Sequence, residues 1–314
     1  SVNNWFNNNS DYEYLFQTLK FKAYRPFLNE SFALYKNNSN NHSDLIDPRS
    51  YFVLRKFLQE KKNKEEDIIL PTTWIFDLND NYKHYPLINM PFTVNNIDLN
   101  VITNFLFGTT NLVLYHSDRN FIEKIFDEEM QKMYSDTIEL IVFAIKNDLT
   151  NWRPDLALLY YPSIFDFYWL VSRVYSTMKN HEEKLPKFFE DKKNLLEKIL
   201  KEDFTKNMIS KLNKNENDEN QLFFVEFLGN TDAYKRNEDN LFATSLGLNS
   251  FINIWTKNSQ KNSAGKNDYL TIEFDEDTPQ EIKSIIDKLA NFIGKNINGI
   301  FSSYEGAFFS GSVK

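Results

Sequence analysis

The chain contains no cysteine. Disulfides and thiolate zinc sites are therefore excluded, and either redox compartment is open to it. Glycine is scarce, 8 in 314 residues, and no glycine-rich phosphate cradle of the Walker or dinucleotide type occurs. A Gly-X-Ser-X-Gly elbow is also missing. No run of about 18 apolar residues exists, so no membrane span is expected. The four histidines, His42, His84, His116 and His181, do not stand at metal-ligand spacing. No metal or cofactor is expected. Basic residues are in the minority: 36 Lys and Arg against 44 Asp and Glu, a net charge of −8. The one basic cluster, Lys61, Lys62 and Lys64, runs straight into Glu65, Glu66 and Asp67. It reads as a solvated loop of mixed charge, and nucleic acid is not an expected partner.

What the chain does have is aromatic bulk: 29 Phe and 16 Tyr within a 41% hydrophobic composition. Aromatic side chains bury large areas each, so a core can be built from few positions. The apolar spacing is mostly helical. Tyr12, Leu15, Phe16 and Leu19 recur at that spacing, and Pro26 opens a short helix. Asp47-Pro48 marks a further helix start, with Pro at the favoured first position. One long amphipathic helix is expected over 120–146. Ser163 to Asp166 has the capping-box form ahead of an apolar helix. Two amphipathic helices follow over 185–200 and 204–212. The stretch 221–228 reads equally as strand or buried helix, and 269–274 alternates like a strand. Thr278-Pro279 opens a last helix. Residues 36–44, 211–220 and 259–267 read as exposed loops, and 68–91 as a proline-broken, aromatic-rich loop over a scaffold. With no compositional border, one all-α domain over 1–314 is the simplest account, with 1–10 and 36–44 polar.

Two helices share an unusual polar signature. One begins at Asp98 and carries Thr103 and Asn104; the other begins at Asp239 and carries Thr244 and Ser245. In the first, Asn100, Asn104, Gly108 and Asn111 fall on one face. In the second, Ser245, Asn249, Asn253 and Thr256 do the same. A polar stripe on an otherwise apolar helix asks for something polar to face it. If both stripes face a common centre, they line a hydrated pocket with Asp98 and Asp239 at its rim. Each Asp also has a purely structural job available as an N-cap.

An Asp-headed helix with Thr and small polar residues before an apolar body resembles the inner-ring helices of α/α-toroid proteins. Terpenoid cyclases and protein prenyltransferases belong to that group. The aromatic ending 304–311 is similar to segments that close such rings. The resemblance covers the chain from Asp98 onward and implies helical hairpins in a partial or complete α/α toroid, with at most one or two short strands. It does not imply those enzymes' activities. The Asp-rich protonating motif, the Gly-bearing Gln/Trp repeats and the zinc-binding Cys are all missing. Asp127, Glu128 and Glu129 read as a solvated helix face rather than a diphosphate-binding motif.

Two functions of different class follow. The first is a non-catalytic interaction or structural protein, part of a larger assembly with other protein subunits. The alternative is a pocket-bearing enzyme or binding protein for a carbohydrate or an apolar, isoprenoid-like ligand. For the alternative, the candidate ligand-binding residues are Asp98, Thr103, Asn104, Asp239, Thr244, Asn249, Trp169 and Glu305. Trp74, Tyr168 and Trp255 are possible walls. Asp155 and Asp166 are further carboxylates beside aromatic segments, each with a bland reading as cap or ion pair. Asn-X-Ser sequons at Asn8, Asn29, Asn37 and Asn41 suit a secreted or lumenal chain, but an Asn-rich chain makes such matches by chance. Location stays open. The start at Ser1 is read as that of a fragment or processed product.

Overall fold

Helices take up most of the described residues, as the apolar periodicity predicts, and strands are confined to two short antiparallel hairpins. The computed structural model describes residues 9–26, 46–73, 95–160, 163–226, 237–261 and 269–300, with backbone alone at 21–22, 237–239, 260–261, 269–270 and 298–300. The chain forms two compact units, Ser1–Leu159 and Tyr160–Lys314.

In the first unit aspartate starts helix after helix. The elements are α1 Asn9–Lys22, α2 Pro48–Asn63, α3 Leu99–Tyr115, α4 Arg119–Ile125, α5 Glu128–Lys146, α6 Leu149–Trp152 and α7 Pro154–Ala157. Asp47, Asp98, Asp118 and Asp127 each accept a backbone N–H from the first turn of the helix that follows. A short carboxylate in that place satisfies donors the helix leaves open and complements its positive end. The long helix expected over 120–146 is therefore two helices. The chain turns at Phe126 and restarts on the Asp127 cap. Helix α5 is the core element. Met130, Met133, Tyr134, Ile138, Leu140, Ile141 and Ala144 are all fully buried, each such apolar side chain contributing about 1.5–3 kcal/mol. The Tyr134 hydroxyl meets the Thr110 hydroxyl at 2.6 Å and ties α3 to α5. Asp136, 5% exposed, accepts the Ile69 backbone N–H at 2.7 Å and the Lys132 ammonium at 3.0 Å. It thereby holds the chain leaving α2 against α5.

The second unit is built on α8 Ile164–Asn180 packed against α11 Asn237–Trp255. Between them come a 3₁₀ turn, Glu182–Lys184, then α9 Lys187–Ile199, one π turn Leu200–Phe204, and α10 Thr205–Ser210. The two helices expected over 185–212 are thus one helical run with a π turn at its joint. The Thr205 hydroxyl donates to the Leu200 carbonyl there, at 2.7 Å. Phe165, Tyr168, Phe204 and Phe224 form an aromatic cluster, with Phe165–Phe224 and Tyr168–Phe204 centroids both 4.6 Å apart. Gly247 of α11 lies directly against the Phe224 ring, where a Cβ would collide with it.

The first hairpin pairs β1 Asn213–Asn215 with β2 Asp218–Phe223. The sequence 211–220 reads as a loop because it is polar apart from Leu212. It folds as a hairpin because Asn215 and Asp218 side chains accept the N–H groups of Asn217 and Asn220, each at 3.0 Å, making the turn locally. The second pairs β3 Thr256–Lys261 with β4 Tyr269–Phe274 in unbroken register. β3 follows α11 with no loop between them, and α12 Gln280–Ile300 closes the unit.

Candidate functional site

The sequence-predicted residues fall in different places. Asp98 is fully buried, and its carboxylate accepts the N–H groups of Asn100 at 2.8 Å and Val101 at 3.1 Å. Thr103 is fully buried and donates to the Leu99 carbonyl one turn back, at 2.7 Å. Asn104 is exposed. Thr244 is fully buried and its hydroxyl accepts the Phe224 N–H at 3.0 Å. Asn249 is exposed and donates to the Ser245 carbonyl at 2.8 Å. Trp169 is half-buried under the Arg173 guanidinium, 4.4 Å from the ring centroid. Asp98, Thr103 and Asn104 belong to the first unit; Trp169, Asp239, Thr244 and Asn249 belong to the second. The Asp239 side chain, Glu305, Trp74, His42, His84, the four sequon asparagines, the helix expected after Pro26, the 36–44 loop and the 304–311 ending lie outside the described residues.

Asp166 and Arg173 share a face of α8. Burial pushes the Asp166 carboxyl up to about 6 even though the Arg173 charge works against it. The capping box forms by half. The Ser163 hydroxyl accepts the Asp166 N–H at 3.0 Å, but the returning carboxylate belongs to Glu226. Glu226 takes the Ile164 N–H and the Ser163 hydroxyl, both at 2.6 Å.

The second unit holds an open groove of about 1150 Å³ between the end of α8, the face of α9 and the turn after β4. Its wall includes Tyr175, Lys179, Glu197, Lys201, Asp275 and Asp277. Lys179 ends α8 and donates to the Ile254 carbonyl at 3.0 Å and to Asp275 at 3.2 Å. Lys201, in the π turn, reaches Asp277 at 2.8 Å and Glu197 at 3.0 Å. The side chains of Lys179, Asp275 and Lys201 are 13%, 13% and 16% exposed. Removing charges this far from water is costly unless each is paired, and here each is.

The pKa shifts record that balance. Burial lowers the Lys179 ammonium, with Asp275 opposing it. For Lys201 burial acts the same way, but the bonds to Asp277 and Glu197 outweigh it and leave the ammonium above its ordinary value. The Lys201 hydrogen bond holds Asp277 below the usual carboxylate range. Tyr175 is driven upward by burial and by the Glu197 and Asp275 charges beside it. The Tyr175 phenol therefore stays protonated beside the paired charges. The Trp255 ring lies 5.4 Å from the Lys201 ammonium, and its buried Nε1 has no hydrogen-bond partner among the described residues.

Sequence reasoning passed over this groove. Tyr175 and Lys179, and Glu197 and Lys201, stand one helical turn apart, the only local signal it offers. Among the described residues no group of three or more His, Asp or Glu is placed to hold a metal ion, and no helix is long and apolar enough to cross a membrane. Compared with known proteins, the chain matches no family model, no curated protein and no solved structure.

Proposed function

We propose that this chain is a non-catalytic interaction protein that works within a larger assembly. In this reading the groove walled by Lys179, Lys201, Glu197, Asp275 and Asp277 holds an extended polar segment of a partner. One observation carries the reading: the groove is large, and each of its inner charges is already partnered. A catalytic site needs a group left free to take or give a proton, or to attack. Fixed charges of both signs suit a different task, the choice of partner and register. A volume of about 1150 Å³ also exceeds the usual small-molecule pocket of about 300–1,000 Å³. The α/α-toroid resemblance stays within this proposal as the kind of helical scaffold such a surface suits; fold likeness names no activity.

A charge swap tests it. In Lys201→Asp with Asp277→Lys the pair survives with its polarity reversed, and Glu197→Gln is added because Glu197 also pairs with Lys201 and would otherwise face the new carboxylate. The native protein is isolated under mild conditions with its partner, and amine cross-links are mapped. Cross-links are expected from Lys184 and Lys257, both exposed at the groove rim. The swapped protein is expected to keep its melting temperature and lose the partner. A swapped protein that still holds the partner, or a native chain that elutes alone, overturns the reading.

A further inference from the structure

A second cavity, of about 380 Å³, lies in the first unit between α2 and the link from α5 to α6. Its floor is aromatic. The Phe52 and Trp152 rings stack 13° from parallel with centroids 5.4 Å apart, and Trp152 is 52% exposed. A large apolar ring on the surface, held flat by a second ring behind it, is a stacking platform with its ordering cost already met.

The charges around this platform contrast with those in the groove of the second unit. Arg55 lies 4.4 Å over the Phe52 ring, and Lys56 is beside it; both are exposed and neither has an ion-pair partner among the described residues. Across the cavity stands Asp148. Its Oδ1 is buried without a hydrogen-bond partner among the described residues, and its backbone is held in the left-handed region at φ 48°. A buried carboxylate oxygen with no donor is costly, and a non-glycine residue in that conformation adds strain of the kind that collects at ligand sites. Opposite charges thus line one cavity without bridging it.

We infer that this cavity binds a small, flat-ringed ligand carrying one anionic group and one N–H donor. The ring stacks on Trp152, the anionic group meets Arg55 and Lys56, and the donor edge faces Asp148 on the cavity wall. Aromatic amino acids and nucleotides both have this chemistry, and a volume of about 380 Å³ falls in the range for small ligands. The site goes beyond the proposed partner-binding role and uses none of its residues, so either can fail alone.

Calorimetric titration of the whole chain with L-tryptophan and, separately, guanosine 5′-monophosphate tests it. Saturable binding of one or both is expected, and the probe that binds identifies the source. Asp148→Asn keeps the side-chain shape and tolerates the left-handed backbone. It and Arg55→Gln should each weaken binding about tenfold or more, one order in Kd. Trp152→Ala, at an exposed position, should abolish it. Unchanged melting temperatures show that the fold is intact. No saturable binding of either probe up to about 10 mM, well past the weakest specific range, overturns the inference. So does affinity left unchanged by Asp148→Asn or by Arg55→Gln.

Discussion

Helices α3 and α11 carry the same written signature, an Asp near the start, a Thr five residues on, and a central glycine, and they use it differently. In α3, Thr103 turns its hydroxyl back onto its own helix. In α11, Thr244 reaches outward to the N–H of Phe224, the residue that leaves the first hairpin. Gly108 has nothing within 4 Å of where a Cβ would be, whereas Gly247 is pressed against the Phe224 ring. The pattern in α3 is internal to the helix. In α11 it is an attachment, with Phe224 fixed by backbone to Thr244 and by ring to Gly247. The shared spacing from Asp to Thr sets which face the threonine occupies and says nothing about what arrives there.

The glycines should separate the two helices most. Gly108→Ala is expected to stabilise the chain by about 1 kcal/mol, the ordinary gain in a helix interior. Gly247→Ala gains the same propensity but must displace a buried ring, for a net loss of about 1–2 kcal/mol. Urea denaturation with hydrogen exchange read over each helix measures both. Equal signs at the two positions would break the comparison. The threonines should differ by less. Thr244→Val leaves the Phe224 N–H without an acceptor and should cost about 1–2 kcal/mol, while Thr103→Val should cost under about 0.5 kcal/mol, because the Leu99 carbonyl keeps its helical bond. Faster exchange of the Phe224 amide in Thr244→Val alone would sharpen the contrast.

The smallest effect concerns two carboxylates that burial disfavours in both units. Asp136 is held by the Ile69 N–H and Lys132, and its pKa is nonetheless raised, chiefly by burial. Asp166 feels only the Arg173 charge against the same cost and is pushed to about 6. A carboxyl raised in the folded state holds protons that the unfolded chain releases. Its contribution is thus fully present below pH 3.8 and is lost as pH rises through about 6. Asp166→Asn should therefore flatten the stability profile over that window and raise stability at pH 7 by about 1 kcal/mol, allowing for partial exposure. Asp136→Asn, which surrenders the Lys132 ion pair, should show no such gain. Melting curves from pH 4 to 7 distinguish the two.

The fold's local punctuation was legible in the sequence. The helix starts after Asp47, Asp98, Ser163 and Thr278 follow from residue chemistry within a turn or two. The break at Phe126 was harder to read because apolar periodicity runs through it; only Asp127 signals the restart. Glu226 at the start of α8 was out of reach, lying 62 residues from the N–H it accepts. The groove was illegible for the same reason. Its lysines sit on α8 and in the π turn, its carboxylates on α9 and after β4, and separately each is an ordinary surface charge. What makes them a site is that they meet.

The end of α11 gives the groove one further property. The Ile254 carbonyl is taken by Lys179, and the Trp255 carbonyl by the Asp275 N–H at 2.9 Å and the Thr278 hydroxyl at 3.0 Å. The Lys179 ammonium in the groove wall is thus also a bolt that terminates a core helix, and the Asp275 carboxylate that pairs with it is anchored beside that helix end by its own backbone N–H. Neither can swing toward a visitor without leaving a helix carbonyl unanswered or breaking the other's charge pairing. The groove behaves as a mould rather than a hand: whatever fits it must arrive already shaped.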